Sequence, residues 1–117
     1  MDLSAVDRSK VGTRESADEA LSLFQCVYYC SKPVISRLNG PALGGGIGFM
    51  FASNIRIAKS NFYLQFSEVR RGIVPAVISS VIVPQIGWFL ANDLMMTGRR
   101  MHAERCYELG FLTEVHD

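Results

Sequence analysis

Apolar positions fall into helical and strand-like periods separated by proline and glycine. From Ser16 onward, Ala20, Leu21, Phe24, Val27 and Tyr28 recur at three- and four-residue steps, with Asp18 and Glu19 near the start. This pattern predicts an amphipathic helix to about Cys30, with Cys26 and Cys30 on its core-facing side. Lys32-Pro33 stops it, because proline removes a donor and holds its predecessor extended. Val34, Ile35 and Leu38 predict a short strand closing at the turn residues Asn39-Gly40-Pro41. The apolar run Ile47–Ala52 follows three glycines and is too glycine-rich at its start to be helical by propensity alone. Asn54–Ala58 alternates like a strand, and Asn61–Phe66 predicts another that continues the same sheet. One apolar helix is expected after Pro75, and a second from about Gly87 to Met96, ended by Thr97-Gly98. A short helix from Ala103 to Leu109 closes at Gly110, before an extended Phe111–Val115. Strand and helix alternate without repeats, so the class is α/β.

Composition narrows the choice of function. With 117 residues, 49% of them hydrophobic and 20% charged, the chain can bury one core and is neither disordered nor a coiled coil. Twelve basic against eleven acidic residues leave no excess positive field for nucleic acid and no polybasic patch for a membrane surface. Two charge-free stretches, Leu38–Ile55 and Gly72–Asn92, approach the roughly 20 residues that span a bilayer. Their glycines and prolines argue for buried core instead. Three cysteines, an odd number with no secretory segment ahead of them, fit a reducing, intracellular compartment. No targeting signal separates cytoplasm, mitochondrion and peroxisome.

The most informative local feature is Gly44-Gly45-Gly46 between a turn and an apolar run. A helix start exposes unpaired amides, and glycine leaves them open to an anion or a developing oxyanion; close packing of helix on strand explains the glycines equally well. Neither a P-loop nor a dinucleotide fingerprint is present. Cys26, Cys30, His102 and Cys106 contain the ligand types of a zinc site, but buried cysteines usually serve as small apolar residues, and no metal is expected. Arg99-Arg100 with His102 fits a solvated helix-entry loop better than a phosphate site. Phe49, Met50, Phe51, Phe62, Phe66, Trp88, Phe89, Met95 and Met96 are expected mainly in the core, with some available to line an acyl pocket.

Four ordered blocks carry a resemblance: Lys32-Pro33-Val34-Ile35, Asn39 to Gly46, Ser67 to Pro75, and Leu94 to Arg100. Together they resemble the enoyl-CoA hydratase/isomerase (crotonase) family, and Pro75-Ala76-Val77-Ile78-Ser79 is most similar to its methylglutaconyl-CoA hydratase type. The resemblance implies a partial crotonase-like (ClpP/crotonase) fold, the central portion of a ββα spiral. Residues 1–117 then form a single incomplete domain, with a polar lead-in over 1–13 and a core fragment over 14–117. It also implies an acyl-CoA thioester whose carbonyl is polarised by backbone amides, one of them at Gly45, with Glu68 as acid/base. Leu43, Gly44, Gly46 and Pro75 would bind substrate. No separate cofactor is implied, because the substrate carries coenzyme A.

Two features depart from the family pattern. Where many hydratases carry a first glutamate, this chain has Gly48, which shifts weight toward one-carboxylate chemistry such as double-bond isomerisation. Complete members have about twice as many residues or more. Asp2-Leu3 resembles the tail of the loop that supplies the other oxyanion amide, and the C-terminal helices that complete the pocket and support homo-oligomers would lie outside this stretch. The alternative reading is therefore a weak or silent relative of a full-length hydratase. Ile78, Val81 and Ile82 are expected to lack their usual cover. On residue pattern alone, Glu68 would instead be a solvated acid paired with Arg70 or Arg71.

Overall fold

The computed structural model describes residues 13–117, so the polar lead-in and Asp2-Leu3 lie outside the described residues. Helix α1 (Arg14–Tyr28) leads into β1 (Ile35–Leu38), β2 (Ala42–Leu43) and α2 (Gly45–Ala52). Strands β3 (Ile55–Lys59) and β4 (Tyr63–Gln65) follow, then a 3₁₀ helix (Ser67–Arg71), α3 (Ala76–Ile86) and α4 (Trp88–Thr97). Strand β5 (Met101–His102), α5 (Ala103–Glu108) and β6 (Glu114–His116) complete the order.

Two three-stranded sheets share these strands. One is parallel with order β1-β3-β6, the other has order β2-β4-β5, with β4 and β5 antiparallel. Each consecutive pair, β1-β2 and β3-β4, is therefore divided between sheets. The strand over Asn61–Phe66 does not extend the sheet of its predecessor, contrary to the sequence expectation. A tight turn closed by the Phe62 amide on the Lys59 carbonyl (2.9 Å) redirects the chain, and Phe62 is fully buried beside it. Strands β2 and β5, two residues each, are too short to leave a period in the sequence.

Helix α2 forms despite its glycines because tertiary burial outweighs propensity: Ile47, Met50 and Phe51 are fully buried. Helix α1 is capped by Thr13, whose Oγ1 accepts from the Ser16 amide at 3.2 Å. It ends at Tyr28, two residues before the expected stop, and buries one narrow face through Phe24. Cys26 is two residues on, roughly 200° around the helix, and Cys30 lies past its end; both are exposed rather than core-facing. The expected gap at α3 is also absent, since Ile78, Val81 and Ile82 are buried within this chain. Exposed apolar surface lies on α4 instead, where Trp88 is 72%, Phe89 89% and Met96 73% exposed, so these three are not core. Among the described residues, no helix is long and apolar enough to cross a membrane.

One arginine ties these layers together. Arg56, the second residue of β3, donates from Nε to the Met50 carbonyl (2.8 Å) and from Nη2 to those of Phe51 (3.0 Å) and Ser53 (3.2 Å). It also reaches the Phe111 carbonyl (3.3 Å) and the Gln85 Oε1 of α3 (2.5 Å), and stacks 4.7 Å from the centre of the Phe51 ring. Gln85 Nε2 completes the junction by donating to Phe51 and Val81 carbonyls. A cation at the carbonyl end of α2 also complements the helix dipole. Burial moves this guanidinium's pKa below its ordinary value.

Arg56→Met is expected to lower stability by about 3 kcal/mol, because several inward carbonyls lose their donor together. Arg56→Lys should recover little, since one ammonium cannot reproduce the planar fork. Urea unfolding midpoints check both, and a methionine variant as stable as the parent would contradict the assignment.

Candidate active site

The site begins where β2 turns into α2. Gly44 occupies the N-cap with φ +49° and ψ −120°, a conformation closed to most side chains, and the helix begins at Gly45. The first amide turned inward is that of Ile47, which donates to the Gly44 carbonyl at 3.0 Å. The Gly45 and Gly46 amides stand at the positive end of α2, where no carbonyl of the preceding turn exists to accept them.

Glu68 approaches this corner from the 3₁₀ helix. Phe66, fully buried, anchors the entry, and Gly72 ends the segment in the left-handed conformation with φ +70°. Behind it, Gln65 Nε2 donates to the Gly98 carbonyl at 2.7 Å. Gly98 lies so close that a Cβ there would stand 2.8 Å from Val69 Cγ1 and 3.1 Å from the Phe66 carbonyl oxygen. These contacts fix the segment so that the Glu68 carboxylate lies against Gly44: a Cβ on that glycine would be 3.1 Å from Oε1. Oε2 is buried without a hydrogen-bond partner among the described residues. No ion pair joins it to Arg70 or Arg71 among them, so the solvated-pair reading of Glu68 fails. A buried, unpartnered carboxylate oxygen is rare in a protein interior and marks a place where a ligand or water donor belongs.

The resulting cleft has a volume of about 580 Å³ and is lined by Leu43, Gly44, Gly45, Gly46, Ser67, Glu68, Arg71 and Ile73, with Pro41 and Ala42 behind them. Five of the six residues singled out from the sequence thus meet on one wall. Pro75 does not: it is buried at the start of α3 and lines a neighbouring apolar groove of about 310 Å³ with Val69, Val74, Trp88 and Met96. Ile73 lines both spaces.

Gly48 lies one turn into α2 and is buried. A Cβ there would stand 2.7 Å from Phe24 Cε1 and 2.8 Å from Ile78 Cγ2. The space a side chain at position 48 would need is therefore filled from α1 and α3, and Glu68 is the one carboxylate lining the cleft among the described residues.

The other candidates disperse. Among the described residues, no group of three or more histidine, cysteine or acidic side chains could hold a metal. Cys106 is fully buried, its thiol donates to the Met101 carbonyl at 3.6 Å, and burial pushes its pKa up to about 12, so it is inert packing. Arg99 is paired with Asp93, whose pKa is lowered chiefly by that hydrogen bond. Arg100 lies 4.5 Å from the centre of the Tyr63 ring, so neither arginine is directed at a phosphate. Sequence reasoning missed two arginines. Arg56 showed itself only as a charge inside an alternating strand, and Arg71 only as a possible ion-pair partner of Glu68 rather than as a residue lining the cleft.

Comparison with known proteins gives the family and the fold. The sequence profile described as enoyl-CoA hydratase/isomerase matches residues 1–116. An enoyl-CoA hydratase of Alternaria alternata is 39% identical over 93 residues, covering 80% of this chain and 31% of the relative. A putative enoyl-CoA hydratase of Thermus thermophilus is 33% identical over 118 residues, covering 97% of this chain and 47% of its own. An enoyl-CoA hydratase structure from Shewanella pealeana superposes with TM-score 0.86 at 30% identity, over 96% of this chain and 42% of that one. A putative enoyl-CoA hydratase/isomerase (crotonase) from Legionella pneumophila gives 0.82 at 33% identity, over 92% and 43%. The chain thus spans between about a third and a half of the length of these relatives and carries a partial crotonase fold. By profile, sequence and fold together, it belongs to the enoyl-CoA hydratase/isomerase family.

Proposed function

We propose that the cleft binds the thioester group of an enoyl-CoA, with the Gly45 amide donating to the carbonyl oxygen and Glu68 moving a proton at the adjacent carbons. The observation that carries this reading is the buried, unpartnered Oε2 of Glu68 beside the open N-terminus of α2. A carbonyl oxygen placed at the amides gains negative charge as an enolate forms, and fixed donors stabilise that charge without reorganising. The carboxylate sits one residue away, against Gly44, where no side chain intervenes. Leu43, Gly44 and Gly46 shape the wall around the thioester, and Pro75 contributes to the adjoining apolar groove. No separate cofactor is needed, because the coenzyme is part of the substrate.

With Gly48 in place of a second acid, the wall supports one-carboxylate chemistry best. In a double-bond isomerisation, the Glu68 carboxylate takes a proton from the carbon beside the thioester, and the electrons pass into the carbonyl to give a dienolate. The resulting acid returns the proton two carbons further along, so one group closes the cycle with no net gain or loss. Hydration requires a water to be held and split as well, work that two carboxylates share in many hydratases. The likeness of Pro75–Ser79 to the methylglutaconyl-CoA type belongs to the same proposal.

Glu68→Gln is expected to lower the rate on short 3-enoyl-CoA and 2-enoyl-CoA by about 10²–10⁴-fold, followed by absorbance of the conjugated thioester. Equal rates for variant and parent would remove Glu68 from the mechanism, and a parent that binds without turnover would make the chain a silent relative. Gly44→Ala should reduce activity with a stability loss of about 1–2 kcal/mol, since it places a Cβ at positive φ against Oε1. Gly48→Glu is expected to create no hydratase and to destabilise by several kcal/mol, by roughly the cost of overpacking plus an unpaired acid. A stable, hydrating Gly48→Glu protein would show that Phe24 and Ile78 can withdraw.

A further inference from the structure

We infer that Arg71 is an anion anchor at the mouth of the Glu68 cleft, selecting thioesters that carry an oxyanion at a distance from the reacting carbons; this rests on the reading of the cleft as a thioester site. The 3₁₀ helix has about three residues per turn, so residues three apart lie one above the other. Glu68 and Arg71 are so spaced within Ser67–Arg71, and both line the cleft with the glycines of α2. The acid is turned inward with a buried oxygen, while the arginine is exposed. Arg71 forms no ion pair among the described residues, although Glu68 is a single turn away. Four other arginines are committed elsewhere, Arg56 to carbonyls, Arg99 to Asp93, Arg100 to the Tyr63 ring and Arg105 to Glu108, and Arg14, Arg37 and Arg70 do not line this cleft.

The cleft thus has a buried acid at depth, helix-start amides on one wall, and an uncommitted guanidinium at the rim. A neutral acyl terminus would gain nothing from that cation. A carboxylate at the far end of the acyl group, or a phosphate of the coenzyme, would gain a charge-assisted contact of the kind a guanidinium makes bidentately. Both are oxyanions presented at the same rim, and they differ in which end of the thioester carries them.

Four saturated thioesters separate the sources without turnover: butyryl-pantetheine with neither anion, glutaryl-pantetheine with the carboxylate only, butyryl-CoA with the phosphates only, and glutaryl-CoA with both. Calorimetric titration of the parent, Arg71→Gln, Arg71→Lys and Arg71→Glu reads their affinities. Arg71→Gln is expected to weaken at least one anionic series by about 5–20-fold while leaving butyryl-pantetheine unchanged. Lysine should keep part of the preference and glutamate should reverse it; the series that loses affinity names the anion. Equal weakening of all four thioesters, or no change in any, would overturn the inference. If that occurs beside Glu68-dependent turnover, only the Arg71 assignment falls. If Glu68→Gln turns over like the parent while the anion preference depends on Arg71, the catalytic reading falls and the anchor stands. A parent that binds none of the four overturns both.

Discussion

The structure depends on holding a short, glycine-started helix by its middle and its carbonyl end. Helix α2 has only eight residues, and few isolated helices of that length persist in water. Its middle is fixed by burial of Ile47, Met50 and Phe51, and its carbonyl end by the Arg56 fork. With those secured, the amide end needs no side-chain cap, and none is present at Gly44. An uncapped amide end is therefore maintained by the opposite end of the same helix. The arginine also couples α2 to α3 through Gln85 and to the segment before β6 through Phe111.

Much of this architecture was legible in the sequence because punctuation is local chemistry. Pro33 precedes β1, Gly98 ends α4 with φ +60°, and Gly110 follows α5 with φ +78°, each where a missing donor or a missing Cβ requires it. What escaped is what depends on distant partners. Periodicity identifies the apolar face of a helix but not how much of it a neighbour covers. Thus Tyr28 is exposed while Phe24, four residues earlier on the same face, is buried. The division of β3 and β4 between sheets escaped for the same reason. Their alternation is satisfied by either arrangement, and the buried Phe62 turn decides between them.

The site was less legible than the fold. Gly44-Gly45-Gly46 announced a close approach but not to what, and Glu68 stood out only through resemblance to a family pattern. Their adjacency is a property of the pairing of β2 with β4, whose register sets Ala42 beside Leu64 and Leu43 beside Gln65. Two residues beyond each register pair, the chains carry the glycine corner on one side and the start of the 3₁₀ helix on the other. A two-residue strand too short to leave a sequence signal is thus the element that brings the corner and the carboxylate together.

Gly48 shows how packing limits the chemistry of this wall. In an α-helix, residues three or four apart share a face, and Gly45 and Gly48 are so related. Phe24 exploits both: its ring lies 3.8 Å from where a Gly45 Cβ would be and 2.7 Å from that of Gly48. The absence of side chains that frees the Gly45 amide also lets α1 press onto α2 one turn later, and Ile78 of α3 closes the remaining space. A carboxylate at position 48 would require α1 and α3 to retreat from the helix that carries the amide. That Glu68 is the one carboxylate lining the cleft is therefore tied to the packing of the core, since the tight α1–α2–α3 contact and the missing side chain at position 48 arise from the same glycine.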